Sequence, residues 1–327
     1  MITNYGGNKI VKKILAVAKH IPLNQVTELQ KEFLNYQVSY AQDLETADYP
    51  SIEIMYGWSA SLGKKLLKLT DSHLKWIQAE SAGVNQFDQA LLAKKNILLS
   101  NASGIHGQQM SESILGMIFA YTRQIRQSIL NQEVAEWQHA LPTTDLAGKQ
   151  IVILGTGHIG QVLAKTLSVF DVTVTGVNRS GQNYDYFDSI IKHEELPNKL
   201  SQFDILISLL PETNETLNFF NREFFKMVKK GVIFINAGRG SAVDESVLIE
   251  ACQTGIVSFA GLDVVKHEPL PKTSDLWEQP NILIIPHLAG STDQYFNRLF
   301  PIFKENLQLF EQTGDIIRNK IDLTKGY

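Results

Sequence analysis

Short apolar runs alternate with amphipathic stretches along the first hundred residues. Four runs have the length and composition of strands: Ile14–Ala18, Ile52–Tyr56, Trp76–Ala79 and Ile97–Leu99. The stretches Leu23–Phe33 and Leu62–Leu69 between them space their apolar residues as helices do. Because parallel strands are joined by helical crossovers, this alternation predicts a small parallel α/β unit.

A long helical pattern over Gln109–Asn131 follows, long enough to bridge two domains. A second alternation of strand and helix patterns begins at Lys149. It predicts six strands: Ile151–Leu154, Val172–Val177, Asp204–Ser208, Val232–Asn236, Phe259–Asp263 and Ile282–Ile285. With helices such as Ile159–Phe170 and Glu245–Thr254 between them, these strands suit a doubly wound nucleotide-binding sheet. The last helical pattern, Thr292–Gln312, has no strand after it and is expected to return to the first unit.

Composition describes an ordinary globular protein of two domains. The 327 residues are 44% hydrophobic and 20% charged, with a formal net charge of −4 that favours neither nucleic acid nor a membrane surface as partner. The single cysteine, Cys252, excludes an intramolecular disulfide and suits a reducing compartment. Neither a secretory signal nor an apolar run of roughly 20 residues is found. A cytoplasmic location is therefore expected.

The strand at Ile151–Leu154 runs directly into the turn Gly155-Thr156-Gly157-His158-Ile159-Gly160, and a helical pattern follows. Gly155 permits a tight turn, Gly157 lets the backbone approach a pyrophosphate, and Gly160 lets helix and strand pack closely. Free N–H groups at the helix N-terminus attract phosphate. The strand–turn–helix context favours a dinucleotide site formed by all six residues over a coincidental glycine-rich turn.

The residues after the next strand indicate which dinucleotide. An NAD site usually has an Asp or Glu about 20 residues beyond the glycines, which binds the ribose 2′-hydroxyl. This chain has Asn178-Arg179-Ser180 there. A carboxylate would repel a 2′-phosphate, whereas Arg179 can bind one and Ser180 can donate to it. NADP(H) is therefore expected to be preferred over NAD(H), the alternative being that Arg179 is a solvated loop residue.

Three later segments follow strands and carry candidate chemistry. Arg239 lies in the loop after Val232–Asn236, Glu268 precedes a proline after the next strand, and His287 follows the last strand. Open α/β sheets bind ligands at the carboxyl ends of their strands. These three side chains are therefore expected at one edge of the sheet.

These motifs, in this order after the glycine turn, resemble the D-isomer-specific 2-hydroxyacid dehydrogenase family over nearly the whole chain. The similarity is to the short, glyoxylate/hydroxypyruvate reductase-like form, because no room for a regulatory domain follows the last helix. The resemblance implies that Arg239, Glu268 and His287 are catalytic. It also implies that the backbone N–H groups of Ala82 and Gly83 hold the substrate carboxylate.

The expected reaction explains these residue types. Reduction of a 2-oxo acid places negative charge on the carbonyl oxygen, which then takes a proton. His287 would be the general acid, because imidazole titrates nearest working pH, and Glu268 would fix the ring and favour its charged form. Arg239 would bind the carboxylate and polarise the carbonyl. Each residue alone has a structural interpretation, but the combination favours reduction of a small 2-oxo acid, of unspecified side chain, to a D-2-hydroxy acid.

The resemblance implies further cofactor contacts. Pro211 and Thr216 would lie along the ribose and pyrophosphate, Asp263 would bind the nicotinamide carboxamide, and Ala237 and His287 would also contact the cofactor. No grouping of histidines suggests a metal site, and none is expected.

Three further residues bear on the substrate site. Asn85 stands where many relatives have an aspartate. Trp58 follows a strand of the first unit and either contacts the substrate or is a packed core aromatic. Trp277 either lines the pocket or contacts a second subunit.

The predicted fold is α/β, with two Rossmann-like or flavodoxin-like domains and a cleft between them. Residues 1–100 and 289–327 would form the substrate domain. Residues 101–288 would form the NAD(P)-binding domain, whose parallel sheet is doubly wound. The resemblance implies a homodimer through the long helix.

Two alternatives stay open. One is a dinucleotide-sensing, corepressor-like protein of the same fold, against which the intact Arg239, Glu268 and His287 argue. The other is formate dehydrogenase, which has a glutamine where this chain has Glu268.

Overall fold

The computed structural model describes residues 13–84 and 86–323, and these form two compact units. One unit comprises the described parts of Met1–Ile105 and Asp293–Tyr327, and the other is His106–Thr292. The boundaries therefore lie slightly later than expected. Ala102 and Ile105 pack in the core of the first unit, and Ala289, expected in the first unit, packs in the core of the second.

Strands and helices alternate through both units. The first unit contains β1 (Lys13–Val17), α1 (Leu23–Glu32), β2 (Tyr36–Tyr40), β3 (Ile52–Tyr56), α2 (Ala60–Lys68), β4 (Trp76–Gln78), α3 (Gln89–Lys94) and β5 (Leu98–Ser100). The second unit contains α4 (Gly107–Thr122), α5 (Ile125–Glu133), β6 (Gln150–Leu154), α6 (His158–Leu167), β7 (Thr173–Asn178), β8 (Ser189–Lys192), β9 (Ile205–Ser208), α7 (Arg222–Met227), β10 (Val232–Asn236), α8 (Glu245–Gln253), β11 (Val257–Leu262) and β12 (Ile282–Ile284). The chain then returns to the first unit through α9 (Tyr295–Thr313). None of these described helices is both long and apolar enough to cross a membrane.

The first unit has a five-stranded parallel sheet in the order β2-β1-β3-β4-β5. This is a flavodoxin-like order, and it includes β2, which the apolar pattern did not predict. The returning helix α9 covers one face, as expected from its position in the chain. Its Phe303 ring stacks on Tyr56 at 4.0 Å and on Trp76 at 5.1 Å between centroids.

The second unit has a seven-stranded parallel sheet in the order β12-β11-β10-β9-β6-β7-β8. The chain order reverses between β6 and β9, which is where doubly wound sheets bind their ligands. Six strands were predicted, and the additional one is the edge strand β8. It was missed because only Ile191 of its residues is buried, so the strand lacks an apolar run.

The prediction of one helix over Gln109–Asn131 was wrong. Two helices cover this region, α4 and α5, and the break lies at Gln124, whose φ of 57° is left-handed. The Thr122 carbonyl, released from the helical pattern, accepts a hydrogen bond from the Thr144 N–H at 2.9 Å. Neither glycine nor proline marks the break in the sequence, so a contact from a later segment decides it.

Cys252 is a free cysteine that packs in the core. It lies in α8, where its side chain is buried in the core of the second unit. Burial raises the pKa of its thiol to about 12, so the thiolate that would react or bind metal is not formed near neutral pH.

One buried carboxylate connects the amino-terminal ends of four strands in the first unit. The Glu53 side chain, only 4% exposed, receives hydrogen bonds from Lys75 Nζ at 2.7 Å and from Tyr36 Oη at 2.8 Å, and Lys13 Nζ lies at 3.1 Å. Burial alone would raise its pKa, but the hydrogen bonds from Lys75, Tyr36 and Lys13 outweigh burial and lower it. The charged form of Glu53 therefore stabilises the folded state.

We expect Glu53→Gln to lower the free energy of unfolding by about 3 kcal/mol at neutral pH, because it leaves the lysines facing an uncharged group. The pKa of Glu53 is lower in the folded than in the unfolded chain, so its contribution is fully present above the unfolded value of about 4.3 and is lost as pH falls from there through the lower folded value. Urea unfolding at pH 7 and at pH 3.5 measures both effects. The control Glu305→Gln, a half-exposed partner of Arg318, should change stability by less than about 1 kcal/mol. Equal losses in the two variants at pH 7 would contradict the assignment.

Candidate active site

The glycine-rich turn between β6 and α6 has the geometry that a dinucleotide requires. Gly155 adopts a φ of +109°, and a Cβ atom on Gly160 would lie 2.2 Å from the Gly155 carbonyl oxygen. The first turn of α6 therefore approaches the strand as closely as glycine allows. No atom lies within 4 Å of the position where a Cβ on Gly157 would be, so the backbone there is open to a ligand. Both observations fit a pyrophosphate at the N-terminus of α6.

The other residues of the turn differ in exposure. Thr156 is buried and its Oγ1 accepts a hydrogen bond from Asn178 Nδ2 at 3.0 Å. His158 is exposed and Ile159 half-buried. The His158 ring points toward Gly107 at the start of α4, so its backbone, rather than its imidazole, faces the turn.

Asn178 at the end of β7 shapes the loop that follows. Its Nδ2 also donates to the Gln182 carbonyl at 3.0 Å, and its Oδ1 accepts from the Gly181 N–H at 2.6 Å and from Ser180 Oγ at 3.3 Å. The Asn178 amide therefore holds the loop in a closed turn.

Arg179 lies in this loop and pairs with Glu215 across it. Both side chains are 74% exposed. Sequence reasoning did not identify Glu215, because 36 residues separate the partners. In the Glu215 loop, Thr216 Oγ1 donates to the Pro211 carbonyl at 2.7 Å and accepts from the Thr213 N–H at 2.9 Å. Thr216 thus braces the segment that contains Pro211.

Arg239 is presented by a loop that a buried asparagine holds. Asn236, fully buried at the end of β10, donates from Nδ2 to the Arg239 carbonyl at 3.0 Å and accepts at Oδ1 from the Gly238 N–H at 3.2 Å. Ala237 is buried, and its N–H donates to the Ser208 carbonyl. The Arg239 side chain itself is exposed. Asn236 was not singled out from the sequence, although its place directly before the loop was the available signal.

Glu268 and His287 form a hydrogen-bonded pair. The Glu268 Oε2 atom lies 2.7 Å from His287 Nδ1, and Oε1 accepts from the Val265 N–H at 3.2 Å. Both carboxylate oxygens are thereby held. The ring Nε2 of His287 is the nitrogen left for an external partner, and the side chain is 56% exposed.

The backbone of His287 is constrained as well as its ring. Its φ is 55°, and its N–H donates to the Asp263 and Ile285 carbonyls at 2.8 Å each. The Asp263 carboxylate accepts from the Ala289 N–H at 2.8 Å. Burial raises the pKa of Asp263, against the lowering effect of that hydrogen bond. Asp263 thus holds the chain at His287 and at Ala289, two residues later.

In the first unit, the loop after β4 leaves backbone donors exposed. The Ala82 carbonyl accepts from Asn101 Nδ2 at 2.7 Å, and the Gly83 carbonyl from Ser81 Oγ at 2.6 Å. Within residues 13–84 and 86–323, neither the Ala82 nor the Gly83 N–H donates to another group, and both residues are exposed. Asn85 lies outside the described residues.

The sequence left two interpretations open for each of two tryptophans, Trp58 and Trp277. Trp58 is half-buried: its ring packs on Gly63 and, at 4.9 Å between centroids, edge-on to Phe87. Trp277 is 52% exposed, and its Nε1 donates to the Pro271 carbonyl at 3.0 Å. Among the described residues, no group of three or more His, Cys, Asp or Glu side chains is placed to hold a metal ion.

The arrangement in the second unit is similar to known dehydrogenases. Residues 115–289 match the family model described as D-isomer specific 2-hydroxyacid dehydrogenase, NAD binding domain. A probable 2-ketogluconate reductase of Dictyostelium discoideum is 34% identical over 226 residues, 67% of each chain.

Solved structures agree over almost the whole chain. A D-isomer specific 2-hydroxyacid dehydrogenase family protein from Aeromonas salmonicida has a TM-score of 0.80 at 32% identity, covering 95% of this chain and 99% of that one. An NADPH-dependent glyoxylate/hydroxypyruvate reductase from Sinorhizobium meliloti, in complex with NADP and sulfate, has a TM-score of 0.75 at 26% identity, covering 97% and 100%. The comparisons confirm the two-domain α/β fold expected from the sequence.

The three glycine environments lead to three different expected outcomes. Gly160→Ala should destabilise the fold by more than about 1 kcal/mol, because its Cβ would overlap the Gly155 carbonyl. Gly157→Ala should leave the melting temperature unchanged and weaken dinucleotide binding, because its Cβ would occupy open space beside the turn. As a control, Gly116→Ala in α4, where a Cβ meets nothing within 4 Å, should stabilise slightly. Thermal unfolding and equilibrium NADPH titration measure the two effects, and undiminished NADPH binding by Gly157→Ala would contradict the placement of the pyrophosphate.

Proposed function

Because the chain belongs to the D-isomer specific 2-hydroxyacid dehydrogenase family, we propose that it reduces a small 2-oxo acid to a D-2-hydroxy acid with NADPH. The observation that carries this proposal is the Glu268–His287 pair, which lies in the same unit as a turn that fits a dinucleotide. When bound, the nicotinamide supplies the hydride that the carbonyl carbon receives. The side chains of this unit must then deliver a proton and stabilise negative charge.

His287 is the proposed proton donor. Glu268 holds Nδ1, so Nε2 is the atom from which the carbonyl oxygen takes its proton. The constrained backbone at His287 limits where that nitrogen points, which reduces the cost of aligning it with the substrate. The Asp263 carboxylate, which we assign to the nicotinamide carboxamide, supports the same segment.

Arg239 is the proposed anchor of the substrate carboxylate and also polarises the carbonyl. Asn236 keeps its loop in one conformation, so the guanidinium starts from a defined position. We assign further contacts with the carboxylate to the N–H groups of Ala82 and Gly83, and contact with the substrate side chain to Trp58.

The preference for NADPH over NADH rests on Arg179. A 2′-phosphate carries more charge than the Glu215 carboxylate and would compete for the same guanidinium. Because both partners are mostly exposed, opening their pair costs little. The Sinorhizobium meliloti relative, described as NADPH-dependent and bound to NADP, supports this choice.

The proposed assembly is a homodimer. Its support is a run of exposed apolar side chains on α5 and the segment after it: Ile125, Ile129, Leu130, Val134 and Trp137, the last 93% exposed. Large apolar side chains left exposed along one segment in this way favour a protein contact over free surface. A second copy of the chain is the partner that the family resemblance implies.

Removal of the proposed proton donor should abolish most turnover. We expect His287→Gln to lower kcat by about 10²–10⁴-fold and Arg239→Gln to lower kcat/KM by about 10²–10³-fold, while NADPH binding by Arg239→Gln changes little. The assay is NADPH oxidation with 2-oxo acids from glyoxylate to phenylpyruvate. His139→Gln and Arg222→Gln, both exposed and outside the site, serve as controls. Tight NADPH binding by the wild-type chain without turnover of any acid would instead favour a dinucleotide sensor.

Cofactor choice is tested separately on Arg179. We expect Arg179→Gln to reduce kcat/KM for NADPH by about tenfold or more and to leave that for NADH within about twofold, since only NADPH carries the 2′-phosphate. Glu215→Gln should lower the KM for NADPH, because it removes the competing carboxylate. Equal use of both cofactors by the wild-type chain would reject the assignment of Arg179 and leave the reaction itself untouched.

A further inference from the structure

A single glutamate in the first unit joins the ends of four elements. The Glu80 side chain, 19% exposed, lies just after β4. Its Oε1 pairs with His20 Nε2 after β1, and its Oε2 accepts from the Trp58 N–H after β3 at 3.2 Å. Its own carbonyl accepts a hydrogen bond from Tyr295 Oη at the start of α9.

The space around this carboxylate leaves little freedom. Gly57 has a φ of +84°, and a Cβ there would lie 2.5 Å from Ala18 Cβ and 3.0 Å from Glu80 Cδ. Burial, with the charge of Glu80, raises the pKa of Tyr295 to about 12, so its hydroxyl stays a donor at neutral pH. The same two effects raise the pKa of Tyr56. Glu80 is therefore the centre of a tightly packed polar cluster.

Glu80 is also the residue before the loop Ser81–Val84, in which Ala82 and Gly83 are exposed. That loop presents the N–H groups of Ala82 and Gly83, the donors that we assign to the substrate carboxylate. A carboxylate beside an anion-binding loop repels the anion unless a cation balances it. His20 is the group that pairs with the Glu80 carboxylate, and its side chain is 56% exposed.

We propose that Glu80 and His20 act together as a positioning pair for the substrate carboxylate. Glu80 holds the Ser81–Val84 loop and the Trp58 backbone in place, and the protonated form of His20 balances its charge so that the loop accepts an anion. This inference rests on the proposed function, because it takes the loop to bind a 2-oxo acid. Neither residue touches the reacting atoms.

A role in charge balance, rather than in packing alone, predicts which variants raise the KM and which restore it. His20→Gln leaves the Glu80 charge uncompensated, so the KM for glyoxylate should rise about tenfold while kcat changes less than about threefold. The double variant Glu80→Gln with His20→Gln removes the charge as well and should recover most of that KM. His20→Lys keeps a cation and should stay within about threefold of wild type.

The experiment combines kinetics with binding of a probe that does not turn over. Steady-state rates with glyoxylate and NADPH are measured beside the Kd of oxalate for the protein saturated with NADP⁺. The Kd of NADPH should be unchanged in every variant. His73→Gln and Glu32→Gln, an exposed histidine and a paired glutamate elsewhere in this unit, are the matched controls.

Two results would contradict the proposed role of the Glu80–His20 pair. One is an unchanged KM and oxalate Kd in His20→Gln. The other is a double variant with a higher KM than His20→Gln, which would indicate a purely structural role. If His20→Gln fails to fold, the KM values of His20→Lys and of the double variant test the proposal instead. Only a charge effect predicts that both values are close to that of wild type. If the wild-type chain turned over no 2-oxo acid, the proposed function would be rejected. The oxalate Kd would then be the remaining test of the Glu80–His20 pair.

Discussion

The second unit depends on one constraint, the parallel direction of its seven strands. Parallel pairing places every strand-to-helix turn at one edge of the sheet, however far apart the residues are in sequence. Gly155 and His287 are thereby brought to the same edge from opposite ends of the unit. The crossovers that this pairing needs also supply α6, whose N-terminus faces the open turn at Gly157.

The loops at that edge are held by polar side chains of their own, of which Asn236 and Asp263 are buried and Asn178 is half-buried. Asn178, Asn236 and Asp263 each end or follow a strand, and each uses its side chain to bind backbone groups of the next loop. Buried donors and acceptors are costly when left unpaired, so these bonds restrict the loops to few conformations. Arg179, Arg239 and His287 are therefore exposed and still well positioned.

In the first unit, side chains also hold the loop after β4, and one of these side chains is charged. Asn101 and Ser81 bind the carbonyl oxygens of the Ala82–Gly83 segment, which leaves its N–H groups facing outward. Glu80 fixes the start of this segment, because its carboxylate pairs with His20 and accepts a hydrogen bond from the Trp58 N–H. The rigid support behind these residues is the aromatic stack of Tyr56, Phe303 and Trp76.

The sequence by itself determined the alternation of strands and helices, the glycine turn, the order of Arg239, Glu268 and His287, and hence the family. These are local signals: a periodicity, a turn that only glycine permits, and residue types placed directly after strands. The conformation of the glycine turn could be predicted from the sequence because its steric requirement lies within six positions.

Only the tertiary structure decided the break at Gln124, the edge strand β8, and the partners of the charged side chains. Glu215 is 36 residues from Arg179, and Glu80 is 60 residues from His20. Which side chains meet at such separations depends on which strands are neighbours and how closely their loops pack. That information belongs to the assembled sheet, because the free energy of each contact depends on both partners already being in place.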